Sequence, residues 1–272
     1  PNMRNYVGKQ LKETVIPTLE RISGVKFDID RLRQYMRESE KAENDLVRVL
    51  QSAKNRPSPI DGYFGAVYYI GPIFTAFRGT PEASQFYSLL RQEIDERVRL
   101  GKGPITPDGE MGEEKYRLVT EGPPNWTSFR DFWKMFYDEG AVVVASTYSK
   151  VGGLYDFGFR HDADNPLESL ADYCLGCYTN LNLPSRIDMI CKYIDEYQAD
   201  GLLINSIKSC NSFSAGQLLI LREVEKRTGK PAAFIETDLV DPRYFSAANV
   251  KNRLESYFQM VNAKRVAATA AH

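Results

Sequence analysis

The sequence predicts an α/β protein: a flavodoxin-like, four-stranded parallel sheet of order 2-1-3-4 with helices on both faces, preceded by a helical region. Three observations predict it. Apolar residues of the first hundred positions recur at helical spacing, whereas beyond residue 112 short β-rich runs alternate with helical patterns. Between them GKGPITPDGEMG, 101–112, is rich in turn residues. Strands each followed by a helix pair in parallel through right-handed crossovers. The expected domains are 1–112, a helical region with its linker, and 113–272, the flavodoxin-like domain.

Leu11, Val15, Leu19 and Ile22 predict a short helix over 10–22, with Pro17 as a kink or boundary. Asp28 and Asp30 offer N-caps to a longer helix whose apolar face is Leu32, Tyr35, Met36, Ala42, Leu46, Val49, Leu50 and Ala53 and which ends at NRPSP, 55–59. The segment 60–78 holds Tyr63, Phe64, Tyr68, Tyr69, Phe74 and Phe77; core packing is its first explanation, an apolar ligand wall its second. Thr80-Pro81 opens a helix through Phe86, Leu90, Ile94 and Val98.

In the second half, strand one is expected over 116–120, its helix over 128–139 and strand two over 141–145. A long polar insertion, 147–165, precedes helices at 166–173 and 184–197. Strand three covers 201–204 with a helix over 214–227, strand four covers 232–236, and the last helix spans 250–261. In such a sheet ligands bind beyond the carboxyl ends of the strands, where strands one and three diverge. The loops there are EGPPNW after strand one, STY after strand two, NSIKSCNSF after strand three and Thr237-Asp238 after strand four. The loops after strands one and three flank that point, so Glu121, Asn125, Trp126, Lys208, Ser209 and Cys210 are expected to be mutual neighbours.

Composition excludes several functions. A net charge of −1 and a pI near 6.3 leave no basic stripe for nucleic acid, and the longest apolar segment, 63–77, is too short to span a bilayer. The two histidines, His161 and His272, make a Ser-His-Asp or histidine-rich metal site improbable. No GxGxxG follows a strand and no GxxxxGK[ST] occurs, which argues against dinucleotide binding and ATP hydrolysis. Four cysteines without a signal-peptide pattern fit a reducing cytoplasm. The opening PNMRNYVGKQ has no initiator Met and suggests a fragment of something longer. Cys210, in a polar loop just before a helix, fits a thiolate or metal ligand, although a small buried thiol is the ordinary state of a lone cysteine. Cys174-x-x-Cys177 has the spacing of a redox dithiol or a metal half-site, with no second pair to complete it; Cys191 fits a helix core.

The runs EGPPNWTSFRDFWKMFYDEGAVVVASTYSKVGGLYDFGF, DYCLGCYTNLNLPSR and QADGLLINSIKSCNSFSAGQLLILREVEKRTGKPAAFIETDLVDPRYFSAANVKNRLESYF resemble the 2-hydroxyacyl-CoA dehydratase / benzoyl-CoA reductase family, most specifically around Cys210. The resemblance implies two flavodoxin-like domains with a 4Fe-4S cluster between them, held by three cysteines. Cys210 matches the ligand of the second domain. The other ligands would lie in an upstream domain that this chain lacks, and Cys174 and Cys177 rank behind Cys210 because they do not match the family's ligands.

The implied activity is reduction of the aromatic ring of benzoyl-CoA to a cyclohexadiene-carbonyl-CoA, with electrons from an ATP-hydrolysing, cluster-carrying activator and with a homologous C-type subunit as partner. The assigned residues are Lys208, Ser209 and Glu121 for catalysis, Asn125, Trp126, Tyr148 and Asn211 for substrate binding, and Cys210 for metal. The alternatives are an (R)-2-hydroxyacyl-CoA dehydratase subunit, with the same cluster site, and a non-catalytic scaffold or CoA-binding subunit.

Overall fold

A computed structural model describes residues 2–62, 71, 77–106, 108–150 and 157–270. Most of the aromatic segment, including Tyr63, Phe64, Tyr68, Tyr69 and Phe74, lies outside the described residues.

Helix α1 (Asn2–Gln10) continues through a π-helical turn, Leu11–Val15, into α2 (Ile16–Ser23). The helix is therefore longer than the 10–22 expected, and Pro17 does not end it. The π-helical turn just ahead of Pro17, in which Ile16 N donates to Leu11 O, accommodates the proline ring and its missing N–H without ending the helix. Helix α3 (Ile29–Gln51) starts as the sequence predicts: Asp28 Oδ1 accepts from the amides of Asp30 and Arg31 at 2.9 and 3.1 Å. Thr80 Oγ1 likewise accepts from the Ala83 amide at 3.3 Å at the start of α4 (Pro81–Arg99). Within the expected linker, Ile105–Thr106 and Gly109–Glu110 pair as a small antiparallel hairpin.

The sheet is built from β1 (Tyr116–Glu121), β2 (Ala141–Ser146), β3 (Gly201–Ile207) and β4 (Ala232–Thr237). Its order is β2-β1-β3-β4, all parallel, as predicted. Every residue of β1, β2 and β3 is buried, the pattern of a sheet covered on both faces. Helix α5 (Phe129–Asp138) follows β1, and α6 (Pro166–Leu175) and α7 (Leu183–Glu196) precede β3. Helix α8 (Gln217–Thr228) leads to β4, and α9 (Ala247–Ala270) closes the chain.

On one face Phe132, Trp133 and Phe136 of α5 and Leu254, Tyr257 and Phe258 of α9 pack with Leu118, Val143, Leu203 and Ile235 of the strands. The outer edge of β2 is covered by Asp61 and Gly62: Val143 N donates to Asp61 Oδ2 at 3.0 Å, and Gly62 N donates to Val143 O at 2.5 Å. Arg117, buried at the start of β1, ties that strand to Ala53 O, Asn55 O, Tyr197 O and Glu114 Oε1 over 2.6–3.0 Å.

Two compact units emerge: Pro1–Gln51, Tyr68–Glu93 and Lys150–Leu181 form one, and Ser52–Val67, Ile94–Ser149 and Asn182–His272 the other. They interleave along the chain, so the division does not fall at one point near residue 112. The reason is visible inside the first unit. There α6 is bound to the N-terminal helices by Arg4–Asp172 at 2.8 Å and Lys12–Glu168 at 3.4 Å, and the buried Glu43 carboxylate of α3 holds both the backbone amide and the ring Nδ1 of His161. Among the described residues no helix is long and apolar enough to cross a membrane.

Candidate functional site

The carboxyl ends of β1, β2, β3 and β4 carry a network of polar groups that begins inside the strands. Strand β3 runs three residues further than the 201–204 expected, so Asn205, Ser206 and Ile207, expected in the loop, lie in the strand and are buried. Their pairing with Ile235, Glu236 and Thr237 extends the ladder, and a ladder outweighs the loop preference of Asn and Ser. Asn205 then uses its side chain across the sheet: Nδ2 donates to Pro123 O at 2.8 Å, and Oδ1 accepts from Thr237 Oγ1 at 2.9 Å. One carboxamide thus joins the ends of β1, β3 and β4. At the β1–β2 junction Thr120 Oγ1 donates to Ser146 Oγ at 2.9 Å.

Glu121 is fully buried at the end of β1. Gln217, the first residue of α8, donates from Nε2 to its Oε2 at 2.5 Å, and the positive N-terminal end of α8 lies at the same place. This pairing was not legible in the sequence, which predicts one helix from residue 214. Instead a single helical turn, Asn211–Ser214, is followed by Ala215 in extended conformation and Gly216 at φ 83°, and α8 starts afresh at Gln217. The left-handed turn at Gly216 breaks the helix and aims Gln217 at Glu121.

Cys210 is half-buried and precedes the Asn211–Ser214 turn, accepting the amides of Phe213 and Ser214 at its carbonyl at 3.2 and 2.9 Å. Its loop is held on both sides. Asp238 Oδ2 accepts the Ser209 amide at 3.0 Å, and Arg186 of α7 donates from Nη1 to Ser212 O at 2.9 Å. Lys208 donates its amide to Thr237 O at 3.1 Å, while its ammonium lies 3.5 Å from Glu236 Oε1 and 5.3 Å from the centre of the Tyr244 ring. The Lys208 side chain and the Ser209 backbone therefore turn to the β4 end, not to Glu121 at the end of β1 or to the loop after it that carries Asn125 and Trp126. Asn211 is exposed.

Asn125 is fully buried; its Oδ1 accepts from Thr127 Oγ1 at 2.9 Å, and its Nδ2 has no hydrogen-bond partner. Gln217 Oε1 is buried without one as well. Trp126 is 45 % exposed and is brought against Tyr148, with ring centres 6.2 Å apart at 70°. Burial pushes the Tyr148 phenol up.

A 4Fe-4S cluster calls for three or four soft ligands. Cys210, a half-buried thiol in a polar loop, has the chemistry of one. Among the described residues no group of three or more His, Cys, Asp or Glu side chains could hold a metal ion. Cys174 and Cys177 belong to the first unit, where Cys174 O accepts from Asn180 Nδ2 at 2.6 Å and Cys177 Sγ lies 3.3 Å from Thr179 Oγ1. The described residues do not by themselves make up a cluster site.

The family described as 2-hydroxyglutaryl-CoA dehydratase, D-component, matches residues 1–261. The chain is 77 % identical over 270 residues to the B-type subunit of the benzoyl-CoA reductase of Thauera aromatica, covering 99 % of this chain and 62 % of that protein. It is 29 % identical over 264 residues to the (R)-2-hydroxyisocaproyl-CoA dehydratase alpha subunit of Clostridioides difficile, covering 96 % and 61 %. To the (R)-phenyllactyl-CoA dehydratase alpha subunit of Clostridium sporogenes it is 27 % identical over 262 residues, covering 96 % and 60 %. The chain thus spans about three fifths of the length of these relatives.

Proposed function

Because the chain belongs to the 2-hydroxyglutaryl-CoA dehydratase, D-component, family, we propose that it is part of a benzoyl-CoA reductase-type oxidoreductase subunit. The likeness to the B-type subunit of a benzoyl-CoA reductase over 99 % of the chain carries this reading. The reaction is a two-electron, two-proton reduction of the aromatic ring of benzoyl-CoA to a cyclohexadiene-carbonyl-CoA. Electrons come from an ATP-hydrolysing, cluster-carrying activator, and a homologous C-type subunit completes the complex in the cytoplasm. The unbridged thiols of Cys174, Cys191 and Cys210 are in keeping with that compartment.

Cys210 is proposed as one ligand of a 4Fe-4S cluster, which supplies low-potential electrons when bound; the remaining ligands come from polypeptide beyond these residues, with Cys174 and Cys177 second candidates. The chain's own residues shape the substrate side. Asn125 Nδ2, buried without a partner, supports a role as donor to a ligand oxygen. Trp126 and Tyr148 offer aromatic walls, and Asn211 an exposed carboxamide at the head of the turn after Cys210. Lys208, Ser209 and Glu121 are the proposed catalytic groups; Lys208 and Ser209 are exposed to a substrate, whereas the buried Glu121 acts through Gln217.

The likeness to two dehydratase alpha subunits supports a second reading, an (R)-2-hydroxyacyl-CoA dehydratase subunit; a non-catalytic scaffold or CoA-binding subunit is the third. The test is turnover by the anaerobically purified complex with its activator and ATP. Benzoyl-CoA consumed with formation of the cyclic diene supports the reductase; dehydration of phenyllactyl-CoA or hydroxyisocaproyl-CoA instead supports the second reading. A complex that keeps full activity and iron after Cys210→Ser supports the third.

A further inference from the structure

We propose that Trp126 is the residue by which this site distinguishes a flat aromatic acyl group from a puckered, non-aromatic one. The inference rests on the reading of the chain as part of an aryl-CoA reductase and adds the means of selecting an aromatic acyl group over a saturated one.

The two tryptophans of the chain have opposite surroundings. Trp133 is fully buried in the core between α5 and the sheet, where packing accounts for it. Trp126 is 45 % exposed although it sits among other aromatic rings. It opens the short helical turn Trp126–Ser128 just after β1, and Tyr148 lies in the turn Thr147–Lys150 just after the neighbouring strand β2. Phe129 supports the indole at 5.5 Å and 41°, and Tyr148 stands nearly edge-on to it at 6.2 Å and 70°. The indole is thus held from two sides and still offers a large part of its surface at the carboxyl edge of the sheet, where a parallel α/β fold binds its ligands. Burial pushes the Tyr148 phenol further up, so the ring beside that surface carries no charge at neutral pH.

The chemistry of this corner selects for flatness. The ring of a benzoyl thioester is planar and depleted of π density by its carbonyl, and it stacks favourably on the electron-rich face of indole. Addition of two electrons and two protons removes the aromatic sextet and puts sp³ carbons into the ring. The diene keeps two C=C bonds but loses the aromatic sextet, which weakens the stack; a fully saturated ring, puckered and without π bonds, loses it altogether. Trp126 accordingly favours a bound aromatic acyl group over a saturated one.

The test measures affinity in the assembled complex without turnover, comparing benzoyl-CoA with cyclohexanecarbonyl-CoA, whose ring is saturated. For the unaltered complex, benzoyl-CoA binds more tightly and quenches the fluorescence of the exposed tryptophan. In Trp126→Leu, benzoyl-CoA affinity falls about three- to tenfold, the range of one aromatic pair, while cyclohexanecarbonyl-CoA affinity changes less than twofold. Trp126→Phe, which keeps a flat ring and guards against a variant that fails to assemble, retains most of the preference. Equal losses for both ligands in Trp126→Leu, or a preference undiminished, overturn the inference. A complex that binds both ligands but does not reduce benzoyl-CoA overturns the reductase reading and leaves the ring preference to be judged on affinity alone. An unaltered complex without any preference overturns the inference directly.

Discussion

Gly122 and Asn205 meet so closely that a side chain at position 122 would run into the Asn205 carbonyl oxygen. Gly122 has φ 104°, a conformation other residues rarely adopt, and this lets the chain after β1 turn back across β3. The Asn205 side chain then fastens the next residue through Pro123 O. The loop bearing Asn125 and Trp126 is therefore set by one close backbone approach and one carboxamide.

Gly122→Ala should cost about 3 kcal/mol or more, because neither the φ nor the space is available to a methyl group. Chemical denaturation of the purified chain measures it; a loss below about 1 kcal/mol would show that the loop relaxes freely.

Gln217→Leu leaves the buried Glu121 carboxylate without that donor and should destabilise the chain by about 2–3 kcal/mol. Adding Glu121→Gln, which removes the charge, should recover part of the loss. If the double variant is no more stable than Gln217→Leu, the pairing contributes little.

Glu43→Leu removes the carboxylate that binds His161 twice within the first unit, both groups being buried. A cost of about 3–5 kcal/mol is expected, with Glu43→Gln intermediate. Proteolysis should then cut first around residues 157–165, and cleavage elsewhere would contradict the assignment.

Asp238 accepts the amides of Val240, Ser209 and Asp241, which hold its carboxyl below the usual carboxylate range, the Val240 bond foremost. A carboxyl whose folded pKa is depressed adds stability that is fully present above the unfolded value of about 3.9 and is lost as pH falls through the folded value. Asp238→Asn should therefore be less stable than the unaltered chain at pH 7, the gap closing below about pH 4. Denaturation midpoints across that range decide it, and a gap independent of pH would remove the carboxylate's charge from the explanation.

Much of the fold was legible because it is local. Apolar runs such as AVVVA and the 3.6-residue stripes of α3 and α5 encode strand and helix directly, and the crossover rule converts that alternation into sheet order. The ends of elements were less legible. Asn205 and Ser206 read as loop because their strand pairing is with β4, and the Ser214 helix read as continuous because Gly216 gives no sign of its φ beforehand.

The sequence by itself determined the parallel sheet, its order, the loop that carries Cys210 and the family resemblance. Only the tertiary structure decided that Glu121 is buried against Gln217, 96 positions away, that Lys208 turns to Glu236 and Tyr244, and that α6 joins the N-terminal helices. The physical reason is one of range. Periodicity and turn chemistry act between near neighbours, whereas a buried polar group takes whichever partner the finished fold brings within hydrogen-bonding distance.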